Sequence, residues 1–367
     1  KKDRPGLKVV VIDPRRTSSC DVADLHLPLR SGTDAVLFNG LLSYLFDHDI
    51  VDWNFVDYHT EQLPETLKAA RWYAPSVLAV AEHCGLSARD VATFYDWFAD
   101  TQKTVTVYSQ GINQSASGTD KVNAIINCHL LTGRIGQPGA GPFSVTGQPN
   151  AMGGREVGAL SNQLAAHMGF DDPAQVELTG RFWQAEQMAT QPGLKAVDLF
   201  RAVESGQIKA LWVMATNPAV SVPDADRVRS ALEKCEFLVV SDCVAATDTL
   251  ELAQVKLPAL AWGEKDGTVT NSDRTISRQR AFLPPPAQAK PDWWILSAVA
   301  RRMGFSGFDY PSSHQVFCEH AALSGFENDG KRDFDISGLA DITDSDYVGL
   351  TPVQWPVPAG RTQGTTR

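Results

Sequence analysis

At 367 residues, 43% hydrophobic and 21% charged, the chain is long enough for two or three domains with sizeable cores. A formal net charge of −10 without any lysine- or arginine-rich run excludes a nucleic-acid-binding surface of the usual basic kind. No apolar run reaches membrane-span length and no signal peptide is visible, and six scattered cysteines without a CxxC pair read as reduced thiols of a cytoplasmic protein. The opening KKDRPGLKVVVIDP reaches a core-like strand at once, and the ending VPAGRTQGTTR trails off, so the chain is expected to be a piece of a longer polypeptide.

Residues 8–12 (KVVVI) form a β-branched run of the kind buried in parallel sheets. It ends at Asp13-Pro14-Arg15, where a carboxylate can bond a ribose or base edge or, as plainly, serve as a turn or capping residue. Residues 24–29 (DLHLPL) read as a second strand, and Thr33 or Asp34 caps a helix over 35–46. A run of helices fills 52–100, opened by Asp52, Pro64, Pro75 and Ser87, the last with Asp90 as capping-box partner. Trp53, Trp72 and Trp97 are expected in the core. A strand over 105–108 follows, and just past it Gln110 and Gln114 flank Gly111, their amides able to offer a donor and an acceptor together to a heterocycle. An amphipathic helix covers 118–131; Cys128-His129 on it has no companions for a metal site.

Residues 133–158 (GRIGQPGAGPFSVTGQPNAMGGREVG) hold eight of the 28 glycines and three prolines. Such a stretch is neither one regular helix nor a central strand, and its glycines let backbone approach a ligand closely. The plain alternative is a glycine-rich crossover between domains.

Strand–helix alternation then resumes, with helices over 194–204 and 224–234 and strands over 208–215 and 237–240. The first strand ends at Thr216-Asn217-Pro218 and the second at Ser241-Asp242-Cys243. A helix near 246–252 and a strand near 255–258 follow. Residues 262–280 read as turn-rich and irregular, 292–303 as a helix, and the chain beyond Gly304 as extended. Two Rossmann-like sheets, each with an acidic strand end, suggest two nucleotide moieties, although GxGxxG is absent.

The segments VIDPRRT, LPLRSGTD, QGINQ, HLLTGRIGQPGAGPFSVTGQPNAMGGREVG, ATNPAVS, VVSDC and WGEKDGTVTNSDR, in this order, resemble the molybdopterin oxidoreductases that bind a bis-guanine dinucleotide cofactor. Among these the chain looks like the middle portion of an assimilatory nitrate reductase. The resemblance implies an α/β fold of two Rossmann-like three-layer domains with mostly parallel sheets, each incomplete here. These would span 1–147 and 148–304, the second with an irregular insert near 262–285, followed by an extended segment over 305–367 leading to a missing C-terminal domain.

The resemblance also implies a cofactor, molybdenum bis-molybdopterin guanine dinucleotide, and a [4Fe–4S] centre in an N-terminal domain outside this chain. Asp13, Arg15, Gly32 and Asp34 would hold one nucleotide, and Asn217, Ser241 and Asp242 the other. Gln110, Gly111, Gln114 and Gln148 would reach the pterins, with Gly263 and Glu264 near them. Arg155 of GGREVG resembles the arginine that faces substrate, with Gln148 the other residue of the implied catalytic pair, and a guanidinium fork matches a planar oxyanion; the alternative is a loop-bracing ion pair with Glu156 or another acid. Gln110 stands where relatives usually have methionine. The implied substrate is nitrate, reduced by oxygen-atom transfer at molybdenum, with electrons from ferredoxin, flavodoxin or an NAD(P)H-dependent reductase subunit. Thr146 in VTGQ fits nitrate reductases better than formate dehydrogenases, which tend to have arginine there. A non-catalytic scaffold subunit on the same fold is the competing class. No metal ligand is expected in this chain, and without ligands for molybdenum or a cluster it is expected to be inactive alone.

Overall fold

The computed structural model describes residues 1–361 and Gly364. The chain divides into two compact units, one over residues 1–147 and one from Gln148 onward. Across the chain, small and mostly parallel sheets combine with helices, a mixed α/β architecture.

In the first unit β1 (Val10–Ile12) pairs in parallel with β2 (Leu25–Leu27), Val10 opposite Leu25. β3 (Val105–Tyr108) pairs in parallel with β4 (Gly141–Ser144), Val105 opposite Gly141. The core is mainly helical. The helix Asp34–Asp47 sinks Leu37, Leu41, Leu42 and Leu45, all fully buried, against Ile125 and Leu131 of the helix Gly118–Leu131. Gly40 lets a neighbour approach: a Cβ there would lie 2.5 Å from the Tyr95 hydroxyl, which donates to the Leu37 carbonyl at 2.6 Å. Helix starts follow their caps. Asp52 accepts from the Phe55 N–H, Ser76 from Ala79 and Ser87 from Asp90. Asp90 returns no bond to Ser87, so the cap is single rather than a box. Trp72 is 81% exposed and Trp53 47%, contrary to the core placement; both lie on the outer faces of short helices whose inward positions are taken by Val56, Leu67 and Ala70.

The second unit contains a parallel sheet in the order β5 (Ala210–Met214), β6 (Phe237–Asp242), β7 (Val255–Pro258). Phe200 and Val203 of the helix Ala196–Glu204 and Val228 and Leu232 of the helix Ala225–Lys234 pack with Val213, Leu238 and Val240 of the strands.

Two expectations fail in this unit. Residues 262–285 are not merely irregular. After a 3-10 turn at Trp262–Glu264, β8 (Gly267–Thr270) and β9 (Thr275–Gln279) form an antiparallel hairpin, joined at its edge by β10 (Val353–Gln354). The Asp273 carboxylate organises the tip by accepting from the Asn271 amide and the Thr275 N–H, with Arg274 left-handed at φ 70°. Arg278, whose side chain is 3% exposed, is neutralised by Asp266 at 2.6 Å and lies over the Tyr347 ring, so charged letters hide a buried strand position. Nor is the tail extended: Ser313–Gly325 is a helix, and Phe317, Phe334, Ile336, Trp355 and Val357 share a buried core with Leu164 and Met168. That helix buries His314 and Ser324 beside its apolar residues, which blurs the period the sequence could show. The helix Pro173–Trp183, capped by Asp172, was also not anticipated.

Candidate functional site

In the first unit the carboxyl ends of β1 and β3 open into one cleft of about 1150 Å³, lined by Asp13, Gly32, Asp34, Gly111 and Lys121 among others. Asp13 forms a turn of its own: Oδ1 accepts the Arg15 N–H at 2.7 Å, with the exposed Arg15 guanidinium 3.8 Å away. Gly32 is left-handed at φ 89°, and the space a Cβ would enter is open. Asp34, in the first helical turn, meets Lys121 Nζ at 2.8 Å; Lys121 is 5% exposed and was not singled out in the sequence. Gln110 opens the four-residue helix Gln110–Asn113 and donates through Nε2 to Thr146 Oγ1 at 3.3 Å. The exposed Gln114 closes that helix, its N–H on the Gln110 carbonyl. Asp13, Gly32, Asp34 and Gly111 are thus brought together, whereas Arg15, Gln110 and Gln114 adjoin the cleft in sequence without lining it.

The cleft presents Arg4, Lys8, Lys103 and Lys121 against Asp13 and Asp34. An excess of cations suits a phosphorylated ligand, and strand-end carboxylates suit the N–H edge of a base. A phosphate-linked guanine nucleotide fits this donor set.

In the second unit Met214 pairs with Ser241, so Asn217, just past β5, and Asp242, the last residue of β6, lie at the carboxyl ends of neighbouring strands. Asn217 Oδ1 accepts from both the N–H and the hydroxyl of Thr249, at 3.1 and 2.7 Å, which locks the loop after β5 to the helix Asp248–Glu251. Ser241 is fully buried and takes the Trp212 indole N–H at 2.7 Å. Asp242 Oδ1 accepts the Val244 N–H at 3.1 Å. Gly263 is buried under Phe282, whose ring a Cβ would meet at 2.7 Å, and Glu264 folds back to accept the Ala261 N–H. Lys265, also missed in the sequence, pairs with Asp292 at 2.9 Å. Burial, then Asp242, push the neighbouring Cys243 thiol up, and Lys265 opposes them.

The glycine stretch holds β4 and, past the exposed Gln148, a short helix, Ala151–Glu156. Arg155 on this helix is exposed and has no ion-pair partner among the described residues. The bracing pair with Glu156 is not formed. Glu156 is 3% exposed and accepts from Thr270 Oγ1 at 2.7 Å and Trp355 Nε1 at 2.8 Å, and burial holds its carboxyl above the usual range. Burial lowers the pKa of His167, and the Arg155 charge lowers it further. Among the described residues no three His, Cys, Asp or Glu side chains gather as a metal site, and no helix is long and apolar enough to cross a membrane.

Small parallel sheets packed with helices, with a cation-lined cleft at Asp13 in the first unit, define a mixed α/β protein. Residues 1–302 match the family described as Molybdopterin oxidoreductase, and the chain belongs to that family. It is 53% identical to a nitrate reductase of Klebsiella oxytoca over 97% of its own length and 40% of that protein's. It is 47% identical to a nitrate reductase of Shewanella frigidimarina over 95% of its length and 37% of that protein's. The fold matches acetylene hydratase from Pelobacter acetylenicus with a TM-score of 0.71 at 18% identity, covering 97% of this chain and 49% of that one. The chain therefore spans well under half of the two nitrate reductases.

Proposed function

We propose that this chain is the part of a molybdenum-dependent nitrate reductase that holds both guanosine ends of the cofactor and aims one arginine at nitrate. The observation that carries this reading is Arg155: an exposed guanidinium without an ion-pair partner among the described residues, displayed on a glycine-framed helix, in a chain 53% identical to a nitrate reductase. Asp13, Gly32 and Asp34, with Arg15 beside them, hold one guanosine, and Asn217, Ser241 and Asp242 hold the other. Gln110, Gly111, Gln114 and Gln148 face the pterins, with Gly263 and Glu264 shaping the backbone nearby. When bound, molybdenum bis-molybdopterin guanine dinucleotide supplies the acceptor for the oxygen atom of nitrate. Arg155 binds and orients the anion, offsetting repulsion from the cofactor's phosphates. Electrons enter from ferredoxin, flavodoxin or an NAD(P)H-dependent reductase subunit by way of a [4Fe–4S] centre outside these residues, in the cytoplasm.

Each unit is read as an incomplete Rossmann-like domain. The open edge of β3 supports this, because Val105 and Val107 there are 48% and 61% exposed, unusual for a parallel strand.

The test is the full-length protein with reduced viologen as donor. It should reduce nitrate, and Arg155→Lys should keep molybdenum yet lose at least tenfold in kcat/KM, because lysine lacks the planar fork. Wild-type kinetics in Arg155→Lys would reject the assignment.

A further inference from the structure

Arg155 sits on a helix of only six residues, too short to hold its own shape. Both of its ends are fixed by one side chain and backbone, those of Thr270, the last residue of β8 and 4% exposed. The Thr270 N–H donates to Oδ1 of Asn150, the residue before the helix, at 2.9 Å. The Thr270 hydroxyl donates to Oε2 of Glu156, the last helical residue, at 2.7 Å. Gly153 completes the fit: a Cβ there would fall 2.2 Å from Asn150 Oδ1, so only glycine lets the asparagine fold over the helix. Glu156 is held further by Trp355 Nε1 on its other oxygen, and its carbonyl accepts the Ala166 N–H at 2.7 Å.

We infer that Thr270 is a positioning residue for nitrate reduction: it clamps the helix Ala151–Glu156 at both ends and so fixes where Arg155 points. This rests on the reading of Arg155 as the substrate arginine. Thr270 itself need not touch the substrate. A hydroxyl on a buried carboxylate is a charge-assisted bond in a water-poor setting, stronger than its neutral counterpart. The partner strand β9 fixes Thr270 in turn, through the pairing of Thr270 with Ile276. Serine keeps the hydroxyl. Valine keeps the backbone N–H and the shape but loses the bond to Glu156.

The experiment compares Thr270→Val, Thr270→Ser and Arg155→Lys in the full-length enzyme, with molybdenum content measured for each. Misplacing a binding group by about an ångström costs up to roughly a hundredfold, so Thr270→Val should raise the KM for nitrate about tenfold, with kcat within about twofold. Thr270→Ser should restore the wild-type KM, and molybdenum content should stay unchanged in both. Should Thr270→Val fail to fold, Asn150→Ala releases the opposite end of the helix and should raise KM in the same way. A wild-type KM in the folded variant beside an impaired Arg155→Lys would overturn the clamp and leave the arginine reading intact. Wild-type kinetics in Arg155→Lys would overturn both.

Discussion

Residues that carry a ligand reading and residues that hold the fold overlap heavily in this chain. Asn217, Ser241, Gly263 and Glu264 stand out in the sequence through resemblance, yet each has an internal partner: Thr249, Trp212, Phe282 and the Ala261 N–H. Asp13 was legible as a strand-end carboxylate, and the turn left open as the alternative is formed, its Oδ1 accepting the Arg15 N–H. Lys121 was not legible, because a lysine inside an amphipathic helix reads as solvated until Asp34 is seen 2.8 Å away. Removing one partner of a buried pair leaves the other charge uncompensated. Lys121→Met should therefore destabilise the protein by about 3–5 kcal/mol, and adding Asp34→Leu should recover much of the loss. Urea unfolding of the two variants checks this; equal stability of Lys121→Met and wild type would mean that the pair is not closed in solution.

Elements with a clean apolar period were readable: the strand Val105–Tyr108, the helix Gly118–Leu131 and the strand Val255–Pro258 fall where the pattern puts them. The hairpin β8–β9 was not, since its buried positions include Thr270 and Arg278, whose side chains meet Glu156 and Asp266. The tail helix was hidden for the same reason, with His314 bonded to the Ile342 carbonyl inside the core. β3 presents a different case, a strand fully legible in sequence but half unpaired in space. Its free edge lines the cleft together with Val10 and Ile12 of β1. In the full-length protein we expect a further strand on this edge, because two-stranded parallel sheets are marginal and parallel sheets are normally covered. Amide hydrogen exchange should show β3 protected in the full-length protein and fast in the 367-residue chain. Equally fast exchange in both would mean that nothing pairs with it.

At the scale of the whole molecule, one buried and one half-buried histidine make stability depend on pH. His129 is fully buried; burial first, then the Arg134 charge, lower its pKa to about 4. In the second unit burial, then His167, likewise take His320 to about 4. A depressed histidine pKa means that the unfolded chain binds more protons between pH 6.5 and 4. The stability gained by keeping the ring neutral is present above 6.5 and lost as pH falls through that window. For His129 the loss is roughly 3 kcal/mol. Thermal melts from pH 7 to 4.5 should show falling stability, with a shallower slope in His129→Leu; an unchanged slope would contradict neutral burial. The proposed function gives each unit an acidic strand end, Asp13 in one and Asp242 in the other, for one guanosine of the cofactor. Its most direct test is the molybdenum and guanine content of the full-length protein beside its Asp13→Ala and Asp242→Ala variants. Each charge-assisted bond contributes about 1.5–3 kcal/mol, or roughly ten- to a hundredfold in affinity. The wild type should carry two guanines per molybdenum and each variant clearly less of both; unchanged content in both variants would contradict the account.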